Sequence, residues 1–580
     1  MKNKKKGLER NLSDYGDKEF SNFIRRSFAK SMGYSNKSLD KPIVGICYTE
    51  SGYNNCHRNF PEMLEAVKRG VHASGALPIV FPVISLGETF LNPTSMMYRN
   101  LMSMCVEEMI LAQPMDSVIL MGGCDKTVPA LLMGAFSANI PSCLLVSGPM
   151  MTGRHKGERL GACTDCRRFW AKYRSNEIDK NEINLIEDKL ATTSGTCAIM
   201  GTASTMAIIA DVLGIMVPNT SSIPAVHSDR LRASEDTGIL AANLGLNKGI
   251  LPEKIVTKKS IENALRVLLA ISGSTNAIIH LTAIARRIGI NISLEEFNRI
   301  SEETPVIVNL KPVGEGYMED FNASGGLNSV LLELKNKLHL DTIDITGQTL
   351  KQRLKKINNS YIDRKIIFSK SKPVNKKGGL IALFGSLAPE GAILKRAAAS
   401  KKLFEHKGRA VVFSSLNDLA KRIDDPNLDV KKDDILVLQN AGPSSNSGMP
   451  EAGYLPIPKK LAKKGIKDMI RISDARMSGS AFGTIILHVA PESNKLGPLA
   501  VVQNGDYIKL SVKNNSLNLL ISEKEMKNRM SKISKNKKVV YERGYKSLYQ
   551  KNVLPATLGC DFNFLQNKKL NKYAISRRQC

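Results

Sequence analysis

The chain has 580 residues, 42% hydrophobic and 24% charged, a globular balance long enough for two to four cores and unlike a disordered or fibrous chain. Lysine and arginine number 83 against 54 acidic residues, a formal net charge of +29. No apolar run reaches the roughly 18 residues of a spanning helix, and the basic start MKNKKKGLER lacks a signal peptide's apolar stretch, so a soluble, cytoplasmic chain is expected.

Residues 1–40 read as an N-terminal extension, and from residue 42 strand and helix patterns alternate. PIVGICYTE (42–50) is an apolar, β-branched strand followed by a loop that holds Cys56. PEMLEAVKRGVHASG (61–75) has helical apolar spacing and stops at Gly75. LPIVFPVIS (77–85) is a second strand, with Glu88 in its exit loop. TSMMYRNLMSMCVEEMILA (94–112) opens on a Thr-Ser cap and predicts a long helix. SVILM (117–121) is a third strand; Gly122, Gly123 and the triplet Cys124-Asp125-Lys126 follow, then the helix PALLMGAFSA. PSCLLVSG (141–148) is a fourth strand.

This alternation predicts an α/β domain with a doubly wound parallel sheet, whose ligands gather at the carboxyl ends of the strands. Cys56, Glu88 and the Cys124-Asp125-Lys126 triplet each follow a different strand there, so three loops deliver thiols and carboxylates to one rim. SGTCAIMGTASTMAIIADVLG (194–214) starts with small residues and is expected to turn helical just after Cys197, whose thiol would then feel a helix N-terminus. Residues 255–300 read as helical, with Asn276 and His280 four apart on one face; a satisfied core histidine is the more frequent explanation of the latter.

The Lys-rich, turn-rich stretch IIFSKSKPVNKKGG, near 366–378, reads as a linker between an α/β domain (41–370) and a mostly-β, barrel-like domain (378–580). LIALFG, AVVF, DILVLQ, MIRIS, TIILHVA, LAVVQNGDYIKLSV and SLNLLIS are short strands broken by Gly, Asn, Pro and Asp. Two loops there stand out: NSGMPEAG (446–453) places Glu451 among glycines, and ISDARMSGSAFG (472–483) places Ser478 on a small-residue turn. Ordinary turn chemistry explains the composition of both.

The basic excess raises a nucleic-acid partner, but it is spread through short runs, and no zinc-finger spacing, RNP-like box or long basic helix accompanies it. Solvated lysine-rich faces are the reading adopted, with no nucleic-acid and no membrane partner. Ten cysteines are too few for a disulfide framework; Cys163 and Cys166 form the only C-x-x-C, without the second pair of a zinc ribbon.

GGCDKTVPA, SGPMMTGRHKGERLGACTDCRRFWAKY, SGTCAIMGTASTMA, SGSTNAIIHL, GEGYMEDFNASGGL, LFGSLAPEGAILK, NAGPSSNSGMPEAG and ISDARMSGSAFGT, in this order, resemble the dihydroxy-acid and sugar-acid dehydratases, a family that includes 6-phosphogluconate dehydratase. The resemblance runs from about Ile43 to Leu565. It implies a hydro-lyase with an iron–sulfur cluster on Cys56, Cys124 and Cys197, [2Fe-2S] as in the sugar-acid branch or [4Fe-4S] as in other members. It also implies Mg²⁺ held by Glu88, Asp125, a carbamylated Lys126 and Glu451, with Ser478 as the base. Cys163 and Cys166 fit the pattern without being cluster ligands.

Implied with these residues is removal of the substrate's C2 proton by Ser478 and loss of the 3-hydroxyl, giving a 2-keto-3-deoxy acid. GERLGACTDCRRFWAKYRSNEID and GTASTM are similar to the pentonate (arabinonate, xylonate) dehydratases; the branched-chain enzyme usually carries a TAN-type triplet where Ala203-Ser204-Thr205 stand. Thr202 and Ser204 would offer hydroxyls to a sugar acid. The alternatives are a dihydroxy-acid dehydratase of branched-chain biosynthesis and a basic RNA-binding or regulatory protein on an inactive dehydratase fold. Complete cysteine and carboxylate sets argue against the last. A homodimer or homotetramer is implied, and the C-terminus AISRRQC lacks the histidine that some sugar-acid members carry.

Overall fold

A computed structural model describes residues 6–12, 16–247, 249–358, 361–533 and 541–567. The AISRRQC tail lies outside the described residues. Strands β1 (Ile43–Tyr48), β2 (Leu77–Pro82), β3 (Ser117–Gly122) and β4 (Ser142–Val146) form one parallel sheet in the order β2-β1-β3-β4. Its strands are continuous apolar runs because both faces are covered. Ile43, Cys47, Val118 and Leu120 face a core shared with the helices Ser95–Ala112 and Thr127–Ala138. Val44, Ile46, Ile119 and Met121 face a second core with Phe60, Met63, Val67, Ala241 and Ala242.

On that second face the helix Phe60–Ala73 crosses the helix Ser228–Leu246 at backbone contact. A Cβ on Gly70 would lie 2.1 Å from the Glu235 carbonyl oxygen, and one on Gly238 2.3 Å from that of Val67. Only two glycines permit this approach. The extension is tied to the sheet at Asp116, whose Oδ2 accepts from the Gly7 and Ile43 amides at 2.9 Å each.

A short hairpin, β5 (Gly153–His155) and β6 (Glu158–Leu160), precedes a helical layer that includes Thr202–Val212, Lys258–Ala270 and Asn276–Arg287. The stretch read as a linker docks onto this layer: Ile367 bridges Val308, Asn375 bridges Val306, and Ile366 and Ile367 are buried. Its two adjacent isoleucines account for the difference, since exposing them would forgo apolar burial.

The second half is an eight-stranded closed barrel ordered β10-β11-β12-β8-β7-β14-β13-β9. Its strands are β7 (Ile381–Gly385), β8 (Ala388–Leu394), β9 (Glu405–Phe413), β10 (Ile435–Leu438), β11 (Arg471–Ser473), β12 (Ile485–Ala490), β13 (Tyr507–Ser511) and β14 (Ser516–Leu519). Closure leaves no open sheet edge. The chain then returns to the first half, where buried Arg287 pairs with buried Asp561 at 2.6 Å and Arg99 donates to the Gly559 and Cys560 carbonyls. Among the described residues no helix is long and apolar enough to cross a membrane.

Candidate active site

The carboxyl ends of β1, β2 and β3 converge as the alternation predicts. Cys56 lies in the turn Asn55–His57 beyond β1, and its thiol is a hydrogen-bond neighbour of Cys124 beyond β3. Cys197 approaches from the later loop, but the helix there starts at Thr202 with Gly201 as its cap. The expected helix-terminus effect on Cys197 is therefore corrected: Thr196 bridges Pro149, which holds the segment extended ahead of the helix. The thiol instead sits 3.1 Å from the Sγ of Cys163, and that contact, with burial, holds its pKa well above the usual thiol value. Cys56 is raised by Cys124 and by burial.

The structure thus gathers Cys56, Cys124 and Cys197 and adds Cys163 from the C-x-x-C motif, while Cys166 is exposed. Iron would displace the protons that Cys56 and Cys197 retain, and the donor set suits an iron–sulfur cluster.

His57 binds this loop to its neighbour. Its Nδ1 lies 2.7 Å from the Thr49 carbonyl, and its Nε2 accepts from the Gly123 and Cys124 amides at 2.9 and 3.2 Å. Burial lowers its pKa to about 4, so the ring is neutral and both roles hold at once. A histidine beside a cysteine in NNCHRNF suggests a ligand; its part as an amide acceptor becomes visible only once the loops meet.

The second cluster is acidic. Glu88, Asp125 and Glu451 each offer an oxygen, all within 4.8 Å of one another. Fully buried Lys126 stands among them, its Nζ 2.9 Å from Glu88, 3.4 Å from Asp125 and 3.7 Å from Glu451. Arg476, also fully buried, adds contacts of 2.9 Å to Glu88 and 2.5 Å to Glu451 and donates to Thr94 Oγ1 at 2.7 Å. Burial raises Glu88, but Arg476 and Lys126 win and bring it down to about 2. For Glu451 burial and the charge of Glu88 win, and its pKa rises. The Lys126 ammonium stands where a hard cation would lie, and oxygen donors this close suit Mg²⁺. Carbamylation would turn that ammonium into another oxygen ligand.

Ser478 lies two residues beyond Arg476. Its Oγ is 2.6 Å from that of Ser480 and accepts weakly from the Ser480 amide. Side chains from the first half grip the turn: Asn276 Nδ2 donates to the Met477 carbonyl at 3.0 Å, and Thr164 Oγ1 to that of Ser480 at 2.9 Å. Asn276 Nδ2 also meets Thr202 Oγ1, itself 2.8 Å from Ser274 Oγ, while Asn276 Oδ1 is buried without a protein partner among the described residues. That wall offers hydroxyls and a spare acceptor. Ser204 does not join it, since its Oγ donates to the Ile199 carbonyl at 3.1 Å. His280 is buried, with Arg99 Nη1 3.0 Å from its Nδ1.

Arg476 is the functional residue least legible beforehand. It lies inside a quoted motif, but its partner Glu88 is 388 residues away, beyond any spacing rule.

Residues 41–353 match the family model described as dihydroxy-acid/6-phosphogluconate dehydratase N-terminal, and residues 365–560 match its C-terminal counterpart. The chain is 42% identical over 560 residues to an L-arabinonate dehydratase of Rhizobium leguminosarum bv. trifolii, covering 96% of each. It is 40% identical to a 6-deoxy-6-sulfo-D-gluconate dehydratase of Pseudomonas putida, covering 94% of each. It is 34% identical to a dihydroxy-acid dehydratase of Caldicellulosiruptor bescii, covering 94% of this chain and 99% of that one.

Proposed function

The chain belongs to the dihydroxy-acid/6-phosphogluconate dehydratase family, and from that premise we propose that it dehydrates an aldonate, foremost a pentonate such as arabinonate or xylonate, to the 2-keto-3-deoxy acid. The observation that carries the reading is Arg476: one buried guanidinium ties the carboxylates Glu88 and Glu451 to the segment that presents Ser478. Sugar-acid relatives at 40–42% identity, against 34% for a dihydroxy-acid dehydratase, support the aldonate over a branched alkyl acid. The hydroxyl-rich wall of Thr202, Ser274 and Asn276 supports it independently.

With Cys56, Cys124 and Cys197 holding an iron–sulfur cluster, and Glu88, Asp125, Glu451 and Lys126 holding a divalent cation, the two groups would supply Lewis acidity to substrate oxygens. Ser478 Oγ removes the proton from C2. That C–H electron pair becomes the C2–C3 double bond as hydroxide leaves C3, and the resulting enol takes a proton at C3 and loses its hydroxyl proton to become the ketone. Asn276 Oδ1 and Thr202 Oγ1 orient the remaining hydroxyls, and Arg476 keeps the acids and the Ser478 turn in register.

The test is a panel of C5 and C6 aldonates plus 2,3-dihydroxy-isovalerate, assayed for 2-keto acid with anaerobically purified protein and Mg²⁺, iron and sulfide being measured on the same sample. Turnover of an aldonate is expected. Turnover of dihydroxy-isovalerate alone would move the chain to branched-chain synthesis, and a full cluster without turnover would remove the catalytic reading. A steep salt-dependent RNA shift in protein that binds no iron would favour the regulatory alternative.

A further inference from the structure

Lys395 follows the last residue of β8, and its side chain is completely buried. The next residue, Arg396, is fully engaged: Nη1 pairs with Glu302 at 2.7 Å, and Nε and Nη2 donate to the Gly378 carbonyl. Lys395 has no such partner. Among the described residues no carboxylate forms an ion pair with it, and its polar contact is the Gly479 carbonyl, 3.5 Å from Nζ. An uncompensated amine in an apolar surround is unfavourable, and such groups concentrate at functional sites.

Gly479 joins Ser478 to Ser480. A Cβ at Gly479 would come within 2.7 Å of the Thr202 amide and 2.9 Å of the Ser274 side chain, so the turn is pressed against the first half of the chain. The carbonyls of Met477, Gly479 and Ser480 are each met by a side chain from a distant segment: Asn276, Lys395 and Thr164. Of those three, only lysine can exchange a proton near neutral pH. Burial alone pulls its pKa down to about 7. No charged side chain acts on it, and the ions of the adjoining segments are paired among themselves: Arg396 with Glu302, Asp468 with Arg471, and Arg476 with Glu88 and Glu451.

We propose that Lys395 is a positioning residue that acts through Ser478, holding its turn by the Gly479 carbonyl and receiving its hydroxyl proton. For the transfer the Ser478 hydroxyl turns from Ser480 Oγ towards Nζ, which meets the carbonyl of the adjacent Gly479. The Ser478 O–H bond breaks and an N–H bond forms on Nζ, while the oxygen keeps the electron pair with which it takes the substrate's C2 proton. Serine–lysine pairs do this elsewhere without histidine. The inference rests on Ser478 as the base of the proposed dehydration.

The test compares anaerobic wild-type holoenzyme with Lys395→Met and Lys395→Gln, the latter keeping a donor for the Gly479 carbonyl but no basicity. Expected for both is a kcat loss of about 100-fold or more at unchanged iron content, with KM moved by less than about threefold. The wild-type kcat should rise with pH through about 7 and that limb should vanish in the variants. Wild-type kcat in Lys395→Met overturns the proposal, and recovery in Lys395→Gln overturns proton acceptance. If the wild type turns over no acid at all, the Ser478 reading falls and this inference with it. A readout independent of activity is stability against pH. A lowered lysine pKa makes the folded state gain stability as pH rises from about 7 toward 10, so Lys395→Met should flatten that slope. An unchanged slope means that the amine is not held in its neutral form and overturns the proposal.

Discussion

His57 accepts the Cys124 amide at 3.2 Å through Nε2, the atom that also takes the Gly123 amide at 2.9 Å, while its Nδ1 meets Thr49 in its own loop. Two loops that carry thiols are thereby fixed through one neutral ring stacked on Phe60 at 4.4 Å. In His57→Ala two buried amides lose their acceptor, at about 1–3 kcal/mol each. The variant should melt earlier and retain less than half the wild-type iron after anaerobic purification. Wild-type iron content would show that the ring does not organise the thiols.

Lys126 neutralises three carboxylates from inside. Lys126→Met leaves Glu88, Asp125 and Glu451 with Arg476 as the cation among them, and stripping one partner from such a buried set costs about 3–5 kcal/mol. The metal-free variant should unfold at a lower midpoint than the wild type. Millimolar Mg²⁺ should raise that midpoint less in the variant, because methionine supplies no carbamate oxygen to the ion. Equal Mg²⁺ shifts in the two proteins would remove Lys126 from the ligands of the cation.

The hydrogen bonds of Ser478 Oγ among the described residues go to the Ser480 hydroxyl and amide, so little of the polar framework depends on it. Ser478→Ala should keep its iron and its melting midpoint yet lose about 10²–10⁴ in kcat, the range of a positioned base. A kcat within a few-fold of wild type would assign the C2 proton to another group.

The parallel sheet was legible because strands covered on both faces become unbroken apolar runs, and the rim residues Cys56, Glu88 and Cys124 follow directly where those runs end. The barrel strand β8 was harder: Pro389, Glu390 and Gly391 interrupt its apolar pattern, and beside its neighbour β7 it pairs with β12, nearly a hundred residues on. Cys197 lies beside the other thiols but not at a helix N-terminus, since small residues before a helix do not say where its first turn starts. Arg476, His57 and Lys395 were not legible because each gets its role from a partner brought in by tertiary structure. No local propensity encodes that a guanidinium will meet Glu88 or that an amine will meet none.

Glu492 and Asp474 brace the two loops that carry Glu451 and Ser478. Glu492 accepts from the Ser444 amide at 2.9 Å, and Asp474 from the Ala441 and Ser493 amides at 3.1 and 2.9 Å. Burial, then the neighbouring charge of Asp474, pushes Glu492 up to about 7. The folded state therefore keeps a proton that the unfolded chain releases near the usual carboxylate value. Its contribution is fully present below about pH 4.5, and it falls away as pH rises to about 7, an effect of about 3 kcal/mol. The unfolding midpoint of metal-free protein should drop between pH 5 and pH 8. Glu492→Gln is neutral throughout and can still accept from Ser444, so it should flatten this decline and be the more stable protein at pH 8. If the variant and the wild type decline in parallel, the proton is not on Glu492, and the two loops are braced by a charge pair that other residues neutralise.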